Sequence, residues 1–419
     1  MRKGQVPQGG MSSEDLAFLD PELPVAEASR LLKDVLTKYV NDKNKSLKQL
    51  QVSILNNNLF KGILKMAYSK NASAFELLRL LSFRNRIFVQ NLAMTGMIRL
   101  VEEVLSDDGV PSDKETYVTM SAALSLLAAM LAANLEIHSA VMASNIPSRL
   151  VQLCRLTNEE ETYGIAESNP GSPISSNELL LSNCAATSIR NLCHQESNHR
   201  SLLELGAASA LSDMLQHNKH DHYRRVNAAM GLALLVGHEE GDSLLTLDES
   251  LAKDMLDVLR SSQRDDKIHG GFWTMWKVCQ ALAQLSVNDA NKLLIIRGGG
   301  VEVLTEIIVG EQRTNKPSTL KYCVETLWNL AFVDEAKIRI LKAPGLVDGI
   351  SMLLRSNFDS VRDAAKGCLF TLRSEDSSAF AAAVGEGGEG GALSGAAAGG
   401  GGERGGAERG GGERGGGER

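Results

Sequence analysis

The chain has 419 residues, 43% hydrophobic and 23% charged, which is enough apolar material for a sizeable core, extended or spherical. Its formal charge of −7 argues against an interface built on nucleic-acid phosphates, which needs clustered Lys and Arg to displace counterions. Six cysteines, Cys154, Cys184, Cys193, Cys279, Cys323 and Cys368, form no C-x-x-C pair and mostly sit inside apolar periodic segments; thiols that pack there as small hydrophobes point to a reducing compartment.

Residues 1–23 begin basic but carry no apolar stretch ahead of their first acidic residues, so they read as a disordered N-terminus and not as a secretory signal. The expected location is the cytoplasm, with the nucleus also open. Residues 24–68 read as helices of an N-terminal cap, because the first unit of a stacked array needs a polar outer face. The longest uncharged stretch, 120–135, is rich in Ala and Ser and falls short of a membrane span, so no membrane partner is expected.

From 69 to 373 the chain repeats itself. Setting "ATSIRNLCHQESN", "GLALLVGHEEG", "QALAQLSVNDAN", "VETLWNLAFVDEAK" and "GCLFTLRSED" in register aligns Leu192, Leu235, Leu285, Leu330 and Leu372, at spacings of 43, 50, 45 and 42 residues. Repeats of that length are a signature of stacked helical units. The register also aligns Ile189, Leu232, Leu282, Leu327 and Leu369, and the mostly small residues Ala185, Ala228, Val278, Cys323 and Ala365. Weaker copies have anchors at Leu81 and Leu131. After most anchors come a short helical segment, a bend at Gly96, Gly206, Gly298 to Gly300 or Gly345 (Pro147 in one copy), and a second amphipathic helix. The unit that follows Leu235 has no glycine bend and is expected to be irregular. Residues 157–177, acidic and rich in Ser, Asn, Gly and Pro, read as a flexible insertion, and residues 381–419 as a Gly/Glu/Arg-rich disordered tail.

This unit resembles the armadillo repeat, from about Leu179 to Arg373 and more weakly before it. The resemblance implies an all-α fold, a right-handed armadillo-type α-solenoid with a disordered C-terminal tail. It also implies that the third helix of each repeat lines a concave surface. Beta-catenin and importin alpha, members of the family, hold extended peptides there through asparagines. The matching positions are Asn191, Leu234, Gln284, Asn329 and Thr371, with Thr187, Met230, Gln280, Glu325 and Gly367 one turn earlier. Importin alpha carries Trp-x-x-x-Asn arrays; Thr187, Gln280 and Glu325 stand in place of the tryptophans here, which argues against a nuclear-localisation-signal receptor.

A side-chain amide has donors and an acceptor, so Asn191, Gln284 and Asn329 suit a peptide backbone; they equally suit neighbouring helix ends or water. Trp276 and Lys277 lie two turns before Gln284, where Trp276 either anchors a partner's side chain or packs between repeats. The expected groove therefore comprises Thr187, Asn191, Trp276, Lys277, Gln280, Gln284, Glu325 and Asn329.

Three motifs read as structural. "GDSLL" at 241–245 matches the opening of a lipase motif with Ser243 as nucleophile, but it lies in a run of helices without a nearby base. The histidines of "HNKHDHYRR" (His217, His220, His222) with Asp221 have no second ligand cluster for zinc. "RGGGVE" lacks the Lys and Ser/Thr of a phosphate loop. The chain thus reads as non-enzymatic, without metal, cofactor or small-molecule substrate: a scaffold or adaptor holding an extended peptide segment of a partner protein. The alternatives are a regulatory armadillo module of the kind that restrains a Toll/interleukin-receptor domain, and a hydrolase of the GDSL type.

Overall fold

The structure, a computed structural model, describes residues 59–373 apart from 84, 107–110, 112, 157–179, 218–220, 237–246, 265–272 and 312–315. The expected insertion at 157–177, the tail at 381–419, the "GDSLL" motif, His220 and the cap before residue 59 lie outside the described residues.

All regular elements among the described residues are helical. Helices α1 (Leu59–Tyr68) and α2 (Ala72–Ser82) open the array. Then come α3 (Arg86–Met94), α4 (Met97–Leu105) and α5 (Lys114–Ala133); α6 (His138–Met142), α7 (Ile146–Leu153) and α8 (Leu181–Leu192); α9 (His199–Glu204), α10 (Ala207–His217) and α11 (His222–Val236). The next unit shows α12 (Glu249–Arg264) and α13 (Met275–Leu285), followed by α14 (Asp289–Arg297), α15 (Gly300–Glu311), α16 (Pro317–Leu330), α17 (Asp334–Lys342), α18 (Leu346–Leu353) and α19 (Asp359–Arg373). The third helices pack in series, α2 on α5, then α8, α11, α13, α16 and α19, each resting on the next. One hydrophobic core runs the length of the stack.

That core is built by the aligned residues. Leu81, Leu131, Leu192, Leu235, Leu285, Leu330 and Leu372 are all buried, as are Ile189, Leu232, Leu282, Leu327 and Leu369 and the set Ala185, Ala228, Val278, Cys323 and Ala365. All six cysteines are buried free thiols. Helix α5 is long and apolar enough to cross a membrane by length and composition, longer than the uncharged stretch predicts. It is packed between α2 and α8, with Met120, Leu124, Leu127 and Leu131 in the core.

The bend between first and second helix places Gly96, Gly206, Gly299 and Gly345 at positive φ. Of the three glycines at 298–300, only Gly299 needs the left-handed backbone, at φ +85°, where a Cβ is costly. Its neighbours are glycine for space: a Cβ on Gly300 would stand 2.7 Å from the Ile295 carbonyl oxygen, and one on Gly298 2.7 Å from Leu256 Cδ1. In the copy with Pro147, that proline occupies the first turn of α7, where its missing N–H has no partner to lose. In the unit without a glycine bend, one long helix, α12, lies between α11 and α13 among the described residues, and the stretch in which its first helix would fall, 237–246, lies outside them.

A polar device closes several repeats. The anchor carbonyl at the end of a third helix lacks its intrahelical partner, and a side chain six or seven residues on satisfies it. His138 Nε2 lies 2.9 Å from the Leu131 oxygen, while Asn198 Nδ2 and Asn291 Nδ2 each donate at 3.0 Å to Leu192 and Leu285.

Candidate functional site

The aligned polar residues fall on one edge of the third-helix ladder, half-buried except for the buried Asn191, because the other faces of these helices are occupied by the core. Their surroundings differ from rung to rung. Asn191 on α8 is buried, donates through Nδ2 to the Ala128 carbonyl at 2.9 Å, and accepts through Oδ1 from Lys277 Nζ at 2.9 Å. Thr187, one turn earlier, accepts from Asn227 Nδ2 at 2.7 Å. Asn329 on α16 is half-buried and spends both amide protons on the previous rung, donating to the Ala283 carbonyl and to Ser286 Oγ at 3.0 Å each; its Oδ1 meets no hydrogen-bond donor among the described residues. Asn329 thus bonds the end of the neighbouring helix α13, whereas Asn191 bonds a carbonyl inside α5 and the Lys277 side chain.

Helix α13 is different. Gln280 and Gln284 stand one turn apart, half-buried, and each holds an enclosed Oε1 with no donor. Trp276, one turn before Gln280, packs against His194 with ring centroids 5.2 Å apart, and Lys277 Nζ lies 5.6 Å from the Trp276 ring centre. On α16, Glu325 pairs with Lys321 at 3.5 Å.

Beside Asn191 stands a residue that the sequence reading passed over. Arg190 is buried, donates through Nη1 to Asn227 Oδ1 at 2.5 Å, and keeps an enclosed Nε without a partner. His194 and Lys277 close the cluster. Burial pushes the Lys277 ammonium down to about 7, with Arg190 adding repulsion. Burial likewise holds His194 neutral, down to about 2, helped by Lys277 and Arg190, and lowers the Arg190 guanidinium. Burial also pushes the Cys193 thiol up to about 12. The signal for Arg190 is legible afterwards: "SIRNLCH" sets a guanidinium between the core position Ile189 and the aligned polar position Asn191.

Two contacts define the shape of this face. Lys277 and Trp276 on α13 touch Asn191 and His194, on and just after α8, although α11 separates the two helices in the ladder. Side chains two rungs apart meet only where the ladder curves inward, so this face is concave. It also explains Leu234 and Met230, the apolar residues on α11 at the aligned positions: both are buried beneath the span. Farther on, Trp328 covers Gly367, whose Cβ would stand 2.5 Å from Trp328 Cη2, and donates through Nε1 to Thr371 Oγ1 at 2.8 Å.

No group of three or more metal-ligating side chains occurs among the described residues. His217 Nδ1 bonds the Asp213 carbonyl within its own helix at 2.8 Å, and His222 pairs with Asp254 at 2.5 Å.

No family model matches the chain, and no curated protein matches it. Among solved structures, an engineered protein from a structural genomics consortium is 20% identical, with a TM-score of 0.40 over 65% of this chain and 96% of its own. A designed armadillo repeat protein is 17% identical, at 0.39 over 65% and 98%. Another designed armadillo repeat protein, solved with a peptide of alternating Lys and Arg, is 17% identical, at 0.37 over 65% and 98%. At such scores the likeness is loose, and the repeat order of this chain decides: short helix, left-handed glycine, second helix, third helix stacked on its predecessor. The chain is an armadillo-like repeat solenoid. Its third helices carry the inward-curving face on which the cluster above is set.

Proposed function

We propose that this solenoid binds proteins, holding an extended peptide segment of a partner along the concave face, with Gln280 and Gln284 as backbone contacts. The observation that carries this reading is the pair of acceptors, Gln280 Oε1 and Gln284 Oε1, that meet no donor among the described residues; both are enclosed, so each amide would turn outward to meet a peptide. A buried acceptor left without a donor costs about 1–3 kcal/mol, and a peptide backbone in extended conformation supplies N–H donors at regular intervals along one edge. Trp276 and Glu325 flank the pair and would meet side chains of the peptide, while Asn329 would offer its Oδ1. Asn191 and Thr187 support the face from below. The role is that of a scaffold or adaptor without catalysis.

The test is selection of short random peptides on the immobilised full chain. Binders are expected, and Gln280→Leu/Gln284→Leu should weaken them by about tenfold or more, two lost hydrogen bonds of about 0.5–1.5 kcal/mol each. Recovery of no peptide, or peptides indifferent to the double substitution, would overturn the reading.

A further inference from the structure

The floor of the concave face holds two cations that no carboxylate among the described residues neutralises. Arg190 is 8% exposed and Lys277 is 9% exposed, and neither makes an ion pair with a carboxylate among the described residues. Their hydrogen bonds go to neutral atoms: Arg190 to Asn227 Oδ1 and Met230 Sδ, Lys277 to Asn191 Oδ1. Arg190 Nε and His194 Nε2 are enclosed and unpartnered. Buried charges are ordinarily paired, since desolvating an ion without a counter-charge is among the most costly things a fold can do. Here the two like charges share one cluster, each bonded to a neutral side chain of the same α8–α11–α13 stretch, and burial, with repulsion from Arg190 added, disfavours the charged form of Lys277.

We propose that Arg190 and Lys277, with Trp276 and His194 as walls, form the seat for one carboxylate side chain, Asp or Glu, of the peptide held on this face. The proposal rests on the reading above and names the residue type it selects. A carboxylate is planar and acceptor-only, so its two oxygens match a guanidinium N–H and an ammonium proton. Seating it would turn two unpaired cations into a bridged pair and supply Arg190 Nε with an acceptor. The net charge of −7 disfavours a long polyanion, which would meet repulsion beyond the cluster. A single acidic side chain on an otherwise neutral segment does not.

The test compares the wild type with Lys277→Gln, which keeps a donor toward Asn191 Oδ1 while losing the charge; circular dichroism checks that both fold, and Arg190→Gln serves as a second variant. Selected peptides should share Asp or Glu at one fixed position. Replacing that residue by Asn or Gln in the best binder should weaken wild-type binding about tenfold while changing binding to Lys277→Gln by less than about threefold. Binders without an acidic preference, or an acid-to-amide change that costs both proteins alike, would overturn the seat and leave the groove reading standing. If no peptide binds, the groove reading fails, and sodium glutarate at constant ionic strength decides the seat alone. A shift of the Trp276 indole resonance in the wild type but not in Lys277→Gln sustains it; no shift removes it.

Discussion

Lys277 and Asn191 are 86 residues apart in sequence and 2.9 Å apart in space, ammonium to amide oxygen. The bond leaps over α11, so α8 and α13 are tied across a rung that takes no part in the bond. What distinguishes this face from a plain row of helices is therefore a local strap, and it should be visible in stability.

Asn191→Ala is expected to be costly, because it leaves the Ala128 carbonyl without the amide and the Lys277 ammonium without its acceptor. Unsatisfied buried groups cost about 1–3 kcal/mol, more when charged. Lys277→Met, by contrast, removes a buried charge that lacks a counter-ion and should be neutral or stabilising. Chemical denaturation of the two variants against wild type reads the difference. Equal loss in both would show that the strap itself, and not the burial of charge, dominates.

Stability should depend on pH through this cluster. The folded Lys277 pKa, about 7, lies below its ordinary 10.5. Across that window the unfolded chain holds a proton that the folded chain has released, so stability rises with pH from 7 towards 10.5 and gains nothing from this group below 7. His194, at about 2 instead of 6.5, works in the same sense at acid pH: stability falls as pH drops below 6.5. Cys193, at about 12 instead of 9, opposes Lys277 above pH 9, where the unfolded thiol ionises. Melting temperatures of wild type and Lys277→Met between pH 7 and 9 check this; the wild-type curve should climb relative to the variant's.

Gly367→Ala should destabilise by about 1–3 kcal/mol through overpacking. The added methyl would stand 2.5 to 2.7 Å from three carbons of the Trp328 ring, and the ring is held by its bond to Thr371. The double variant Gly367→Ala/Trp328→Leu should recover part of the loss. Recovery in thermal melts is the outcome to look for.

Leu330→Ala, at a fully buried anchor, should cost about 2–5 kcal/mol. The neighbouring Asn329→Ala should cost less, about 0.5–1.5 kcal/mol, because it removes bonds to the Ala283 carbonyl and Ser286 from a half-buried place. Should the order be reversed, the polar contact between rungs would outweigh the core.

The anchors were readable from the residues because they repeat: Leu330 and Leu192 occupy one geometric place, and burial follows from place. The destiny of Asn191 was not. Its burial depends on Lys277 and Trp276, two rungs away, and on a curvature that no single repeat encodes. Asn329 shares its aligned position with Asn191 yet is half-buried, bonded among the described residues only to the rung before it. Arg190 escaped notice for a related reason: it follows Ile189 in a segment patterned as core, and only the unpaired cation at Lys277 gives it meaning.

The side chains that close the anchor carbonyls bear on how such an array can be cut and rejoined. Asn291 donates to the Leu285 carbonyl behind it and accepts from the Leu247 amide, at 2.8 Å, at the start of α12. A boundary drawn at the loop after Leu285 would leave both groups stranded, whereas one drawn beyond Asn291 carries them together. The natural cassette for duplication or grafting therefore ends inside the following repeat's first helix, and chimaeras joined there should inherit a finished helix end instead of a frayed one.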